Sequence, residues 1–281
     1  MSGTMRIKMW GVRGSIPTPG PDTVEFGGNT SCYEIRAGGA IIILDGGTGI
    51  RLLGQAILPE MPFEAWMFFS HVHWDHIQGF PFFTPAFVRG NIIHLHGGLN
   101  VTRTLEETLA GQMDYPSFPV HLSEMGATMT FRDLHEGEVV HVGPNRDVVV
   151  SNARGNHPNG VYAYRIDHDG KSVCYITDSE HYAIVDPKLL KLAQGVDVLI
   201  FDAMYTPEEY AGKAGGGPKT GWGHATFAAG CELAHAAGAK QLVLHHHDPN
   251  QTDAMVREKE TRARELFPNT IAAREGVVIE I

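Results

Sequence analysis

Cysteine is scarce in this chain of 281 residues: Cys32, Cys174 and Cys231 lie far apart and without CxxC spacing. That excludes a disulfide framework and predicts three small buried side chains in a reducing compartment. Long apolar runs are also missing. The longest, at 40–44 and 66–69, fall far short of a membrane span. No apolar stretch follows the first few charges, so no signal peptide is expected. Basic residues are outnumbered, 22 against 32 acids, for a formal net charge of −10. A surface built mainly to grip a long polyanion is therefore not expected, although a local basic pocket is compatible with the balance. Linkers, low-complexity tracts and short repeats are absent too, which predicts one domain over 1–281. These absences read together as a soluble cytoplasmic protein, free of membrane partners.

Glycine and histidine are plentiful, at 33 and 16 residues. The glycines sit in short loops, as tight turns between short elements require. Apolar runs at 6–12, 31–37, 40–44, 65–69 and 91–96 predict strands, and so do 148–151, 160–166, 172–176, 196–201 and 241–244. Helical spacing predicts helices over 101–113, 187–194, 226–237 and 253–266. Strands grouped in each half, with helices between and after them, predict two packed sheets covered by helices. The segment 206–223, with Gly215-Gly216-Gly217-Pro218, reads as a mobile loop or lid.

The densest chemistry is His71-Val72-His73-Trp74-Asp75-His76, directly after an apolar strand. Side chains two apart on an extended segment point the same way, so His71 and His73 can grip one cation. Asp75 and His76 follow as the chain turns away and can face a second. Imidazole and carboxylate donors suit zinc, manganese or iron.

This HxHxDH pattern resembles the signature of the metallo-β-lactamase superfamily. The resemblance implies an αββα sandwich of two mixed sheets with two divalent metal ions at one edge, zinc being the leading choice. It places the further ligands at His157, before Pro158, at Asp178 as the bridging carboxylate, and at His246. A one-residue slip of the last to His245 or His247 stays open, and those two histidines are otherwise expected on a solvated loop. Asp45 reads equally as a turn residue before Gly46 or as a support behind the ligands. His94, His96, His121, His135, His141, His168, His181 and His235 are expected as surface or core residues.

Within the superfamily, Gly221-Trp222-Gly223-His224-Ala225-Thr226 resembles the motif of ribonuclease Z and its phosphodiesterase relatives. The stretches 10–17 and 26–31 resemble the same branch. This implies a catalytic His224 that protonates the leaving oxygen, alongside Asp75 as both ligand and catalytic residue. Asp178 follows His157 by only 21 positions, too few for the tRNA-gripping arm of ribonuclease Z. A small phosphodiester or nucleotide is therefore the expected substrate, a cyclic nucleotide first, with no long nucleic acid. The resemblance also implies a homodimer. Arg13, Lys213 and Lys219 are candidate phosphate contacts but are expected mainly as solvated charges. Phe80, Phe82 and Phe83 are expected in the core, and Trp222 is a candidate for stacking on a base. The competing expectations are a thioester or lactone hydrolase similar to glyoxalase II, which would not need His224, and a metal-loaded nucleotide sensor.

Overall fold

A computed structural model describes residues 4–98 and 102–281. The apolar runs of the first half become β1 (Arg6–Gly11), β2 (Cys32–Ala37), β3 (Ala40–Leu44), β4 (Glu64–Phe69) and β5 (Ile92–Gly98). After β6 (Thr128–Leu134) and β7 (Val139–Val142) come β8 (Val148–Gly155), β9 (Val161–His168) and β10 (Lys171–Ile176). The chain closes its sheets with β11 (Val198–Asp202), β12 (Gln241–His245), β13 (Thr270–Ala272) and β14 (Val278–Glu280). The helices are α1 (Ile50–Ile57), α2 (Trp74–Ile77), α3 (Leu105–Gly111), α4 (Pro187–Ala193), α5 (Pro207–Tyr210), α6 (Phe227–Ala237) and α7 (Asp253–Leu266). None of them is long and apolar enough to cross a membrane.

The expected sandwich forms. One sheet runs β14-β1-β2-β3-β4-β5-β6 and the other β13-β12-β11-β10-β9-β8-β7. Both are mixed: β3 to β6 pair in parallel, as do β10 to β13, and the remaining pairs are antiparallel. Between the sheets, Ile7, Ile42 and Phe68 meet Tyr164, Tyr175, Ile200 and Val243. The other face of the first sheet, with Ile41 and Ile43, packs on Ile50, Leu53 and Ile57 of α1 and on Leu105 and Leu109 of α3. The second sheet's outer face packs on α4, α6 and α7 through Leu189, Phe227 and Ala263. Strands covered on both faces need apolar side chains in both directions, which is why β3 reads Ala-Ile-Ile-Ile-Leu without alternation.

Several elements depart from the expectations. The helix predicted over 101–113 starts only at Leu105, because Thr104 caps it: its Oγ1 accepts from Glu107 N at 3.1 Å, and Glu107 Oε2 accepts from Thr104 N at 2.8 Å. Val101 lies outside the described residues. The unpredicted β6, β7, β13 and β14 are sheet-edge or next-to-edge strands, short or rich in polar residues, so their apolar pattern is faint. Helix α1 buries Ile50, Leu53 and Ile57, but a glycine-rich turn precedes it and Gly54 interrupts it. Phe80 and Phe83 are core residues as expected, whereas Phe82 is 56% exposed, because its short helical turn points it outward against Phe118. The three cysteines are buried and free.

His96 on β5 is buried and stacked on Phe68, with ring centroids 4.6 Å apart. Burial pushes its pKa down from 6.5 to about 4, against a partial offset from the Met67 carbonyl. A folded-state pKa below the unfolded one means that the fold needs the neutral ring. Stability from this group is complete above about pH 6.5 and falls as pH drops toward 4, by on the order of 3 kcal/mol. Urea unfolding of His96→Gln is expected to show a flatter loss of stability between pH 6.5 and 4 than the unaltered chain. An unchanged slope would place the acid sensitivity elsewhere.

Candidate metal centre and its surroundings

The carboxyl ends of β3, β4, β8, β10, β11 and β12 meet along one edge of the sandwich, the position where open α/β sheets collect functional loops. Asp45 follows β3, and His71, His73, Asp75 and His76 follow β4. His157 comes after β8, Asp178 after β10, Asp202 ends β11 and His246 follows β12. Asp45, Asp178 and His246 all adopt left-handed backbone, with φ of 60°, 47° and 61°. Each such non-glycine turn costs on the order of 1 kcal/mol or more and persists only where the surroundings impose it. Here it turns a side chain back over the strand end.

The predicted ligands converge as two sets. His71, His73 and His157 form one, and Asp75, His76, Asp178 and His246 the other, with donor atoms in each set within 4.8 Å of one another. Asp178 faces both. Its Oδ2 lies 3.6 Å from His71 Nε2 and 3.7 Å from His157 Nε2, and its Oδ1 lies 3.2 Å from His76 Nε2 and 3.1 Å from His246 Nε2. Asp75 Oδ2 lies 3.2 Å from His76 Nε2 and 3.1 Å from His246 Nε2, and accepts from Ser15 N at 2.7 Å.

The neighbours set the tautomers. Asp45 Oδ2 accepts from Tyr175 OH at 2.7 Å, Ser70 Oγ at 2.9 Å and His76 Nδ1 at 2.8 Å, and Oδ1 accepts from Ser70 N at 2.7 Å. Ser70 Oγ, having donated its proton, accepts from His71 Nδ1 at 3.1 Å. His157 Nδ1 donates to the Gly223 carbonyl at 2.8 Å. In all three rings the Nδ1 proton is spent outward and the Nε2 lone pair is left facing inward.

Inside the cluster those lone pairs meet other ring nitrogens and carboxylates: His157 Nε2 lies 3.0 Å from His73 Nδ1. His71 Nε2 is buried without a hydrogen-bond partner. His76 Nε2 confronts two carboxylate oxygens and, at 3.3 Å, the Nε2 of His246. Acceptors gathered against acceptors in a buried site fit two divalent cations. His71, His73 and His157 with one oxygen of Asp178 would hold one ion. Asp75, His76 and His246 with the other oxygen would hold its neighbour.

Glycine is required where the chain passes closest. A Cβ on Gly14 would lie 2.4 Å from the His246 ring. One on Gly223, whose φ is 85°, would lie 2.1 Å from His157 Nδ1.

Two of the three consecutive histidines were expected on a solvated loop, and both are fully buried instead. His245 ends β12 between the sheets, accepting or donating to Tyr33 OH at 2.9 Å and to Ser31 and Tyr175 at 3.3 Å. His247 lies 3.0 Å from the Ala273 carbonyl and edge-on to Phe26. His245, the last residue of β12, points between the sheets, and the left-handed turn at His246 swings that ring into the cluster. Arg13 is likewise no solvated charge and no candidate for substrate. It is fully buried, donating to the carbonyls of Gly27 at 2.8 Å, Asp248 at 3.2 Å and Gln251 at 2.6 Å. Lys213 is exposed, and Lys219 lies 4.3 Å above the Trp222 ring. Trp222 is 57% exposed near the site.

His224 stacks on His246, with centroids 4.9 Å apart, and its Nδ1 lies 3.0 Å from Asp202 Oδ2 and 3.8 Å from Asp178 Oδ2. Burial disfavours its charge, but Asp202, Asp178 and Asp75 outweigh that and raise its pKa to about 9. Asp202 escaped the sequence reading. Its signal was present: an aspartate closing the apolar run Val-Leu-Ile-Phe, much as Asp45 follows β3.

The family model described as the Beta-lactamase superfamily domain matches residues 42–247. The chain belongs to this superfamily. Among members, a ribonuclease Z of Lachnoclostridium phytofermentans is 35% identical over 106 residues, 38% of this chain and 31% of that protein. A ribonuclease Z of Exiguobacterium sibiricum is 25% identical over 266 residues, 76% of this chain and 81% of the relative. The first of these alignments thus takes in only about a third of the relative's length. The structure of the metallo-β-lactamase fold protein YhfI from Bacillus subtilis superposes with a TM-score of 0.73 at 19% identity, covering 100% of both chains. The superfamily fold therefore extends over the whole chain.

Asp45→Asn would replace an acceptor by a donor opposite one of Tyr175, Ser70 and His76. Competition with a zinc chelator is expected to show metal affinity lowered about 10- to 100-fold. Wild-type affinity in that variant would remove Asp45 from the support of His76.

Proposed function

We propose that the chain is a dinuclear metal-dependent phosphodiesterase of the ribonuclease Z-like branch, acting on a small phosphodiester, with a cyclic nucleotide as the leading candidate and zinc as the leading metal. The observation that carries this reading is the His224–Asp202 pair beside Asp178. A thioester hydrolase expels a stabilised thiolate and has no use for such a pair. A phosphodiesterase expels an alkoxide, which needs a proton.

Two divalent ions, when bound, polarise phosphoryl oxygens and make water a better nucleophile near neutral pH. The chain's own residues do the rest. His71, His73, Asp75, His76, His157, Asp178 and His246 would hold the ions. Asp202 takes the Nδ1 proton of His224, so the opposite nitrogen, Nε2, presents its proton to the departing oxygen. The three carboxylates facing His224 keep that proton in place, although bound cations oppose part of their effect.

Substrate charge is matched beside the first histidine set. A small cleft, partly open to solvent, is lined by His71, His73, Arg103, Arg154 and Tyr162, and none of its described lining residues is acidic. In a chain of net charge −10 this local excess of arginine suits a phosphate. A small substrate is supported by the segment after His157, which is taken up by the β9–β10 hairpin. The ribonuclease Z relatives make RNA the natural competitor in any test. A homodimer belongs to the same reading, and light scattering on the purified protein checks it.

Zinc- or manganese-loaded protein is expected to hydrolyse bis(p-nitrophenyl)phosphate and at least one cyclic nucleotide. His224→Ala should lower kcat for the cyclic nucleotide, whose alkoxide needs the proton, about 10²- to 10⁴-fold with metal content unchanged, and for bis(p-nitrophenyl)phosphate far less. Turnover of a thioester with none of any phosphodiester would overturn the reading, and cleavage of structured RNA alone would overturn the small substrate. Arg154→Gln is expected to raise KM for phosphodiesters about tenfold, read from initial rates.

A further inference from the structure

Glu180 stands two residues beyond Asp178, buried, and belongs to neither histidine set. Its carboxylate nevertheless accepts from three donors, one of them shared between both oxygens. Oε1 takes Tyr210 OH at 2.6 Å and Gly221 N at 2.8 Å, and Oε2 takes Gly221 N at 3.0 Å and Gly223 N at 2.9 Å. Gly221 and Gly223 both have φ of 85°, which aims their N–H groups at one point. Such backbone concavities bind anions, and here the anion is a side chain of the same protein.

The bonds do not end there. The carbonyl of Gly223 is the acceptor for His157 Nδ1, and the next residue is His224. On its other side, Glu180 N donates to the Asn156 carbonyl at 2.8 Å, Asn156 Nδ2 donates to the Glu180 carbonyl at 3.3 Å, and Asn156 N donates to Ser179 Oγ at 3.1 Å. Three loops, bearing Asp178, His157 and His224, are therefore laced through one residue. The segment 206–223, expected as a mobile lid, is pinned at Tyr210, Gly221 and Gly223.

We propose that Glu180 is a positioning residue that sets His157 and His224 together, by holding the Gly221–Gly223 turn whose carbonyl orients one and whose chain carries the other. The proposal rests on the reading of His157 as a metal ligand and His224 as the proton donor. Its consequence is that one metal position and the acid are adjusted by a single carboxylate, while Asp75 and His76 are anchored elsewhere, by Ser15 and Asp45.

The test compares Glu180→Gln and Glu180→Ala with the unaltered full-length chain. Gln keeps the size but places an NH2 group against donors on one side of the carboxylate. Calorimetric titration of the chelator-stripped protein with Zn2+ is expected to resolve two sites. In both variants one site should weaken about 10- to 100-fold and the other stay within about twofold. Hydrogen exchange at Gly221 and Gly223 should speed up at the same time. Where the protein turns over a cyclic nucleotide, whose leaving alkoxide needs the His224 proton, kcat should fall with KM held within about twofold. Two sites unchanged in Glu180→Gln, or both weakened equally, would overturn the proposal; should Glu180→Ala fail to fold, Glu180→Gln decides. Absence of phosphodiesterase activity in the unaltered chain, with the selective loss of one Zn2+ site intact, would overturn the proposed function and leave the positioning role standing.

Discussion

Asp178 turns one carboxylate oxygen toward His71 and His157 and the other toward His76 and His246, in a pocket closed to solvent. A buried carboxylate surrounded by inward lone pairs is tolerable only if cations or protons balance it. The rest of the edge is arranged around that demand. The left-handed turns at Asp45, Asp178 and His246 bring the donors in, and the outward Nδ1 bonds keep the Nε2 atoms bare.

Behind this cluster lies a second polar layer between the sheets. Tyr175, from the second sheet, reaches Asp45 of the first, and His245 joins Tyr33, Ser31 and Tyr175. Polar groups so deep in a core destabilise unless each is paired. Their pairing across the interface fixes how the two sheets sit against one another. The relative placement of the two histidine sets, each drawing residues from the strand ends of both sheets, follows from it.

The third layer is the loop system. Gly14 and Gly223 allow chain to run directly against His246 and His157, and buried Arg13 fastens the first of these loops to three carbonyls. Glu180 fastens the second. A site assembled from six strand ends thus becomes one rigid constellation, which suits chemistry that depends on a proton donor placed within a few ångströms of the reacting centre.

The sequence by itself determined what is local. The HxHxDH spacing placed four donors after an apolar strand, and unbroken runs such as 40–44 announced strands buried on both faces, because period and composition are carried by neighbouring residues. His157, Asp178, His224 and His246 were reached only through the resemblance of their surroundings to the superfamily's motifs. Only the tertiary structure decided what depends on distant partners. It separated His246 from His245 and His247: Tyr33 holds His245 between the sheets, the Ala273 carbonyl holds His247, and the left-handed turn at His246 aims that ring at Asp75 and Asp178. It buried Arg13, joined Asp202 to His224, and turned the expected lid into a segment held by Glu180. Those outcomes rest on contacts between residues 20 or more positions apart, such as the 22 that separate Asp202 from His224, and no local pattern records them.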